Sequence, residues 1–354
     1  MPTTYTYPTD AALELIEQDF IDNLNETDPI FDLFPIVGTQ DDQIVWEQRD
    51  NYQGLAQIRG MNGDPPSVKQ VGAKRYLMQP SVYGEHMPID ELEMTRRRPL
   101  GQFNGQVSIS DLVTERQNQL RVREMNRVRW VLWQLLINGT FNVFAQDGSL
   151  VASDSFKLTT YTPQVPWTTY ATATPEADFR AIQLLNRGHS VSFGAGAVAF
   201  ANQYTTNVML SNANPNDLGG KRVVGGGTYN DLNQVNELYG RNGLARFVAY
   251  DDGYMADGNE TTSAGASAGF SANSFQLYIP DGYVVVIGKR PNNAKVGEYR
   301  ITRNANNADF GGRPYVKVID HGERRVPRKI EVHRGHNGGP IVWFASAIVV
   351  AKVF

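Results

Sequence analysis

Cysteine is absent from all 354 residues, which excludes disulfide bonds and thiolate-ligated metal sites. Long apolar runs are absent too, because the longest, Ile341 to Ala351, is too short to span a bilayer. The opening, Met1 to Thr9, has neither the basic cluster nor the apolar stretch of a signal peptide. We therefore expect a chain that is made in a reducing cytosol and has no membrane partner.

Histidine is scarce, and His333 and His336 form the one close pair among the five histidines. Two histidines at that spacing would need a helix to face one metal ion, whereas Gly335, Gly338 and Gly339 predict a loop. We therefore interpret both as ordinary surface residues and expect no metal site.

Motifs for phosphate binding and catalysis are also missing. Lys221 precedes the glycines at 225–227, whereas a phosphate-binding loop needs the lysine directly after its last glycine. Asp41–Asp42 and Asp251–Asp252 are adjacent residues in turn-like or acidic contexts, and neighbouring side chains on a strand point to opposite faces. Such pairs are poor acid–base dyads, so the sequence suggests no cofactor and no enzyme.

A basic surplus of the kind that grips nucleic acid is absent, since 33 basic residues face 37 acidic ones. The charge is nevertheless uneven. Met1 to Gln48 carry eleven acidic residues and no Lys or Arg, whereas Arg49 to Arg129 carry thirteen basic and nine acidic residues. Arg313 to Arg334 carry seven basic and three acidic residues. Either these are solvated faces, or an acidic arm of one copy lies on basic surfaces of its neighbour.

A long helix is the strongest local feature. Ser110 to Asn138 contain no Pro or Gly, Ser108 or Ser110 is a suitable N-cap, and Gly139 is a suitable stop. The front half is amphipathic, and the back half, from Trp130 to Ile137, is apolar nearly all round. The pattern predicts a helix that begins at a surface and ends inside a core.

Before that helix, the sequence predicts an arm and an extended ribbon. Asp10 to Leu24 have the apolar spacing of a short amphipathic helix. Ile44 to Trp46, Leu55 to Arg59 and Ser67 to Leu77 are strand candidates, with a turn signal from Asn62 to Pro66. Because two strands alone are marginal in water, we expect so polar a ribbon to lie on something else.

After the helix, short helices and strands alternate, which indicates a mixed α/β lobe. Helices are predicted from Pro175 to a stop at Gly188, from Tyr204 to Leu210, and from Tyr229 to a stop at Gly240. Strands are predicted at Val198–Ala201, Leu244–Tyr250, Phe275–Ile279, Tyr283–Ile287, Arg313–Ile319 and Lys329–Arg334. The nearly apolar run from Ile341 to Val353 is predicted to be a strand buried on both faces.

Three stretches carry a resemblance to a known family: Asn230 to Asp251 as helix, turn and strand, Ile279 to Gly288 as a hairpin, and Ile330 to Val353 as closing strands. Together with the order of arm, ribbon, long helix, lobe and charged strands, they resemble the Hong Kong-97-type fold of tailed-bacteriophage major capsid proteins, in particular the lambda-type family. The resemblance implies an α+β fold and a coat subunit of a phage head.

The same resemblance divides the chain into six segments. They are an N-terminal arm (1–43), an E-loop hairpin with flanking strands (44–100), a peripheral domain with a long spine helix (101–174), a mixed α/β axial domain (175–290), return strands of the peripheral domain (291–340) and a closing axial strand (341–354). The E-loop, tipped near Asn62 to Pro66, would reach across an adjacent subunit.

The implied partners are copies of the chain itself, as the pentamers and hexamers of an icosahedral head that encloses double-stranded DNA without sequence-specific binding. A separate scaffold is implied because no long helical extension precedes the arm, and a portal and a decoration protein are further candidate partners. The implied location is the virion, assembled in the host cytoplasm.

The candidate subunit-interface residues are charged or polar side chains of the arm, the ribbon and the basic segments. They are Asp19, Asp22, Arg59, Asn62, Asp64, Lys69, Lys74, Arg75, Arg96, Arg97, Arg98, Arg324 and Arg325. Some relatives crosslink Lys to Asn covalently, but we interpret Lys69 and Lys74 as ordinary surface lysines.

Two alternatives stay open at this point. An encapsulin-like bacterial compartment would share the fold but enclose an enzyme cargo instead of DNA. A two-domain α/β enzyme would use a carboxylate pair within residues 175–290 and would be a monomer or a small oligomer.

Overall fold

The fold is described from a computed structural model of the chain. The structure describes residues 21, 24, 27–49, 55–59, 61, 63–65, 67, 73–96, 108–145, 149–185, 191–214, 217, 223–224, 227–228, 231–256, 273–307, 311–322 and 326–354. Within those ranges no helix is both long enough and apolar enough to cross a bilayer.

Helices and strands are distributed through the described part of the chain. The helices are α1 (Pro29–Leu33), α2 (Glu91–Arg96), α3 (Ile109–Asn138), α4 (Pro175–Leu184), α5 (Gln203–Leu210) and α6 (Leu232–Arg241). The strands are β1 (Ile36–Gly38), β2 (Ile44–Arg49), β3 (Ala73–Met78), β4 (Ser81–Asp90), β5 (Thr140–Phe144), β6 (Leu150–Ser155), β7 (Thr159–Tyr161), β8 (Val198–Ala201), β9 (Val223–Val224), β10 (Gly227–Thr228), β11 (Arg246–Ala249), β12 (Gly253–Met255), β13 (Phe275–Leu277), β14 (Tyr283–Ile287), β15 (Gly297–Thr302), β16 (Tyr315–Asp320), β17 (Lys329–Val342) and β18 (Ile348–Lys352).

The first sheet is built around β17, a strand of 14 residues. Along one edge, β17 pairs with β4 over residues 329–338. Along the other edge it pairs with β16 over residues 330–335 and with β15 over residues 337–342, and β1 adds to β15 in parallel. All pairings of β17 are antiparallel, so one long strand holds together segments that are far apart in the sequence.

The predicted long helix is confirmed as α3, which packs across the first sheet. Ser108 Oγ accepts a hydrogen bond from Asp111 N at 3.1 Å, and Gly139 ends the helix with φ of 68°. The front half is amphipathic and lies at the surface as predicted, with Asp111, Thr114 and Asn118 exposed, while Leu112 and Leu120 pack with Ile330 of β17 in a small buried cluster. Both halves of α3 are therefore anchored, and about 45 Å of helix is held against the body of the protein.

The loop predicted around His336 is wrong, because Gly335, Gly338 and Gly339 all lie inside β17. A Cβ on Gly335 would lie 2.2 Å from the carbonyl oxygen of Tyr83, and one on Gly338 would lie 2.6 Å from another backbone oxygen. The glycines therefore mark places where neighbouring strands approach closely, a role that glycine has inside sheets as well as in turns.

We expect Gly335→Ala to lower the free energy of unfolding by about 1–3 kcal/mol, because the new methyl group must push the β4 backbone away. Gly240→Ala is the matched control. Gly240 is not the helix stop that was predicted but lies inside α6, and nothing lies within 4 Å of the position of its missing Cβ. That variant should be neutral or more stable by up to about 1 kcal/mol. Urea unfolding of the purified protein measures both, and equal effects would contradict this explanation.

The second sheet has the strand order β11-β8-β14-β18-β7 and confirms a mixed lobe. β11 and β8 are parallel, β14 is antiparallel to both β8 and β18, and β18 and β7 are parallel. Val284 and Val286 of β14 pack with side chains of α4, α5 and α6. Val285 and Ile287 face the opposite way and share a core with the back half of α3. The sheet is thus buried on both faces, which explains its apolar strands.

The run from Ile341 to Val353 is not one strand, as was predicted. β17 ends at Val342, a single 3₁₀ turn follows at Ala345–Ala347, and β18 begins at Ile348 in the second sheet. The run therefore crosses from one sheet to the other. Both halves are apolar because each is buried, so composition alone did not reveal the break.

Other predicted elements have shifted bounds or partners. The third helix of the lobe is α6, which begins at Leu232 and not at Tyr229. β13 pairs with β12, whereas β14 pairs within the second sheet, so the predicted hairpin between them is wrong. Of the amphipathic helix predicted for the arm, Ile21 and Leu24 are helical and contact the main core, and the rest of it lies outside the described residues.

Candidate assembly surfaces

The base of the predicted ribbon is attached to the body of the protein. β2 and β3 pair from Ile44↔Met78 to Arg49↔Ala73, as predicted. The Trp46 ring stacks on the Tyr76 ring at 5.0 Å and on the Phe156 ring at 6.1 Å. These contacts attach the base of the ribbon to the body of the protein.

Beyond that base, the strand predicted at Leu55 to Arg59 is wrong, because these residues have no regular structure. Leu55, Ile58 and Met61, which we call the apolar triad, are 96%, 100% and 100% exposed. Three large apolar side chains this exposed within seven residues are unusual on a soluble surface. The sequence has the composition of a strand, and among the described residues no neighbouring strand pairs with it.

A concavity of about 960 Å³ lies beside α3, and we call it the helix groove. Its floor is one face of α3 from Leu120 to Gln134, and its walls come from the start of β4, from β5, and from Tyr254 and Met255. Val82, Val151 and Met255 line it and are all more than half exposed. The groove can therefore accept apolar side chains of an extended segment.

The floor of the helix groove also carries charge. The Arg127 guanidinium lies 4.7 Å from the centre of the Trp130 ring and 5.7 Å from that of Tyr83. Arg123 donates to both carboxylate oxygens of Glu85, at 2.7 and 3.0 Å. These contacts hold the long side chains flat against the groove.

A buried charge cluster is formed by Glu124, Arg334, His336 and Tyr299, and its first two members also line the helix groove. One carboxylate oxygen of Glu124 accepts from Arg334 Nε and the other from His336 Nδ1. His336 Nε2 is 2.9 Å from the Tyr299 hydroxyl, so each ring nitrogen of His336 has a polar partner. His336 is fully buried, which corrects its interpretation as a surface residue.

The electrostatics of the cluster favour an ionised carboxylate. Burial alone would raise the pKa of Glu124, but the charges and hydrogen bonds of Arg334 and His336 prevail. They lower that pKa from 4.5 to about 2. The cluster joins α3 to β17, and it does so through a charge pair taken out of water.

A second group of histidines lies on the opposite, more exposed face of β17. His333 Nε2 and His321 Nε2 lie 3.0 and 3.3 Å from the same oxygen of Glu331, and the His333 ring stacks on His86 at 5.1 Å. Hydrogen bonds from Lys329, His333 and His321 lower the pKa of Glu331 to about 2. No group of three or more His, Cys, Asp or Glu able to hold a metal ion occurs in the described part of the chain.

The candidate interface residues predicted from the sequence fall into three groups. Arg59, Asp64 and Arg75 are described and exposed. Lys74 lies in β3 and Arg96 in α2, but their side chains are outside the description. Asp19, Asp22, Asn62, Lys69, Arg97, Arg98, Arg324 and Arg325 lie outside the described residues. The three whose side chains are described are not brought into a shared site, and the interface role of the whole set stays a prediction.

Carboxylates of the lobe have structural partners. Asp178 accepts from the Tyr161 hydroxyl and from Trp167 Nε1, both at 2.8 Å. Asp251 accepts from Gln203 N at 3.1 Å, at the first residue of α5. These bonds tie helices to neighbouring strands and loops, which is an ordinary structural use of acidic side chains.

No protein-family model matches the chain, and no curated protein matches it by sequence. Solved structures do match it over nearly its full length. One is a chain assigned as the capsid protein of a prophage of E. coli CFT073, which is 13% identical with a TM-score of 0.53 and covers 96% of this chain and 99% of its own. Another is a phage-related protein of Bordetella bronchiseptica RB50, which is 10% identical with a TM-score of 0.51 and covers 96% of both chains.

The fold is thereby defined. The chain shares the α+β architecture of these phage-related proteins, the Hong Kong-97-type capsid fold that was predicted from the order of its elements.

Proposed function

We propose that this chain is the major coat subunit of a tailed-phage head. Copies of it assemble into the pentamers and hexamers of an icosahedral shell around double-stranded DNA, and the role is structural, not enzymatic. The fold supports this, because a protein of the same fold is assigned as a prophage capsid protein. In this proposal α3 with the first sheet forms the peripheral domain, and the second sheet with its helices forms the axial domain.

The observation that carries the proposal is the apolar triad. Burying a side chain of this size contributes roughly 1.5–3 kcal/mol of stabilising free energy. In the single chain these three side chains are exposed, so they contribute almost none of it. A surface of this kind is typical of a protein whose other half of the contact belongs to another molecule. In a shell, that molecule is a second copy.

The helix groove is the receiving surface that we propose for the triad of a neighbouring copy. It has exposed apolar walls, and its charged floor is held in place by stacking and by the Arg123–Glu85 pair. A net charge of −4 also suits a shell wall, because a surface without a basic excess does not adhere to the DNA that it encloses. A scaffold, a portal and a decoration protein complete the proposed set of partners.

Sedimentation and electron microscopy of the expressed chain test the proposal. We expect large closed particles, and nuclease-protected DNA inside those made with the packaging machinery. A monomer or small oligomer at high concentration would contradict the proposal and favour the enzyme alternative. Particles that enclose a protein cargo and exclude DNA would favour the compartment alternative.

Cysteine pairing tests the proposed contact directly, since the chain has no cysteine of its own. Particles would be assembled from a mixture of Ile58→Cys chains and Val82→Cys chains, and then mildly oxidised. Each chain carries one thiol, so a disulfide between the two positions must join different copies. We expect covalent dimers to form readily, because a disulfide needs Cα atoms within about 7 Å of each other.

Val326→Cys is the matched control for Val82→Cys, because Val326 is also an exposed valine but does not line the helix groove. Mixtures of Ile58→Cys and Val326→Cys chains should yield few dimers. Intact particles with equal crosslinking at both positions would refute the groove as the contact while leaving the coat function standing.

A further inference from the structure

Asp28 connects the segment before α1 to the long helix. Its Oδ1 accepts from Ile30 N at 3.0 Å and caps α1, while its Oδ2 accepts from Arg129 Nε of α3 at 2.7 Å. The Arg129 guanidinium also lies 5.5 Å from the centre of the Phe31 ring. Both partners of the ion pair are mostly buried, so the pair is not a screened surface contact.

The second sheet reaches the same ion pair from the other side. Trp133 is one turn beyond Arg129 on the same face of α3. Its ring centre lies 4.8 Å from that of Tyr250, the residue that follows β11. Tyr278 follows β13, and its backbone N donates to the carbonyl oxygen of Asp252 at 3.1 Å. Burial raises the pKa of both tyrosine hydroxyls, and the charges of Asp28, Arg129 and Asp252 act on both.

Three parts of the fold thus converge on one charge pair: the segment 27–38, the back half of α3, and the edge of the second sheet. Phe31, Trp133, Tyr250 and Tyr278 belong to one continuous buried cluster. A packed core of this kind transmits displacements instead of absorbing them. The ion pair is the charged contact within that core, so its geometry is fixed by a specific partner on each side.

We propose that the Asp28–Arg129 pair is a conformational link. Through it, the position of residues 27–38 on α3 determines how stably the second sheet packs against that helix. A force or partner that displaces residues 27–38 then changes the packing of β11 and β14. The link is a property of the single subunit, so its test requires no assembly and is independent of the coat function.

Hydrogen exchange of the unassembled full chain, followed by mass spectrometry, tests the link. The variant is Asp28→Asn, because Asn caps a helix as well as Asp does but removes the charge. We expect amide exchange at residues 246–250 and 275–287 to become at least about tenfold faster, with no change in β16, which lies in the first sheet.

Asp32→Asn is the matched control. Asp32 lies on the same short helix, and its carboxylate is paired with Lys295 in an exposed position, away from Arg129. This variant should leave exchange in the second sheet unchanged. If Asp28→Asn altered exchange only within residues 27–38, the pair would be a local clamp of α1 and the proposed link would be wrong.

Arg129→Met removes the charge from the other side and should produce the same pattern of faster exchange. If Asp28→Asn did not yield soluble subunit, Arg129→Lys would serve in its place, because it keeps the charge but loses the planar geometry of the guanidinium. Its faster exchange should again include residues 246–250, and a change absent from those residues would overturn the proposal.

Discussion

Glu124→Gln is expected to lower the free energy of unfolding of the subunit by roughly 3–5 kcal/mol, the cost of removing one partner of a buried ion pair. Gln keeps the size of the side chain but not its charge. The Arg334 guanidinium, which is almost fully buried, would then lose its carboxylate, and His336 Nδ1 would lose an ionised acceptor. Urea unfolding of the unassembled subunit, followed by the fluorescence of the buried Trp133, measures the change.

Glu85→Gln is the control for that result. Glu85 also joins α3 to the first sheet through an arginine, in a geometry with two hydrogen bonds, but both partners are largely exposed. Exposed pairs contribute at most about 1 kcal/mol, so this variant should change stability little. Similar decreases in the free energy of unfolding for the two variants would show that burial is not the reason why the Glu124 pair stabilises the protein.

The pH dependence of the same variant has a definite sign. The pKa of Glu124 is lowered from 4.5 to about 2 in the folded chain, so its contribution is fully present above pH 4.5. It is lost as the pH falls from 4.5 through about 2, because the unfolded chain then binds a proton that the folded chain resists. The difference in stability between wild type and Glu124→Gln should therefore shrink across that window. Glu331, whose pKa is also lowered, is present in both proteins and cancels in the difference.

Local signals predicted the long helix well. An N-cap at Ser108, a stop at Gly139 and an interior free of Pro and Gly are properties of neighbouring residues, and the structure confirms all three. The strands of the lobe were found for the same reason, since apolar runs bounded by turn residues need no knowledge of the partner strand.

Long-range contacts explain the errors in the predicted fold. Gly335 lies in a strand that pairs with β4, about 250 residues earlier, and β4 approaches too closely for a side chain at this position. The residues next to Gly335 in the sequence include further glycines, which by themselves indicate a turn. The Ile341 to Val353 run was predicted as one strand because both sheets demand the same apolar composition. In both cases the deciding neighbour lies outside the segment.

The buried charge cluster was missed for the same reason. Glu124 is one of many charged residues on an amphipathic helix, and 210 residues separate it from Arg334. The alternation of β17 is a partial signal, because Arg334 and His336 occupy the same face as the buried Ile330 and Val332. Once β17 is known to be a strand, that periodicity predicts both polar side chains to be buried, and hence paired.

The apolar triad presents a different case, in which local composition predicted a strand that one copy of the chain does not form. Strand-forming residues need hydrogen-bonding and packing partners, and the described part of a single chain supplies none to Leu55 through Arg59. The disagreement between sequence and structure is then itself informative, because under the proposed function it falls where a neighbouring copy would supply the missing contacts.

Replacing the triad together, as Leu55→Ser, Ile58→Ser and Met61→Ser, is expected to separate folding from assembly. Stability of the unassembled subunit should change by less than about 0.5 kcal/mol, because all three side chains are in solvent. Each subunit contact should lose about 5 kcal/mol or more of apolar burial, so the protein concentration at which particles form should rise at least roughly a thousandfold. Light scattering and electron microscopy over a concentration series measure that threshold.

The same replacement at Leu184 and Val326, which are exposed but lie outside the ribbon and the helix groove, should leave the threshold near that of the wild type. Unchanged assembly of the triad variant would mean that neighbouring copies hold together through other surfaces, since a contact that buries these side chains cannot tolerate their loss.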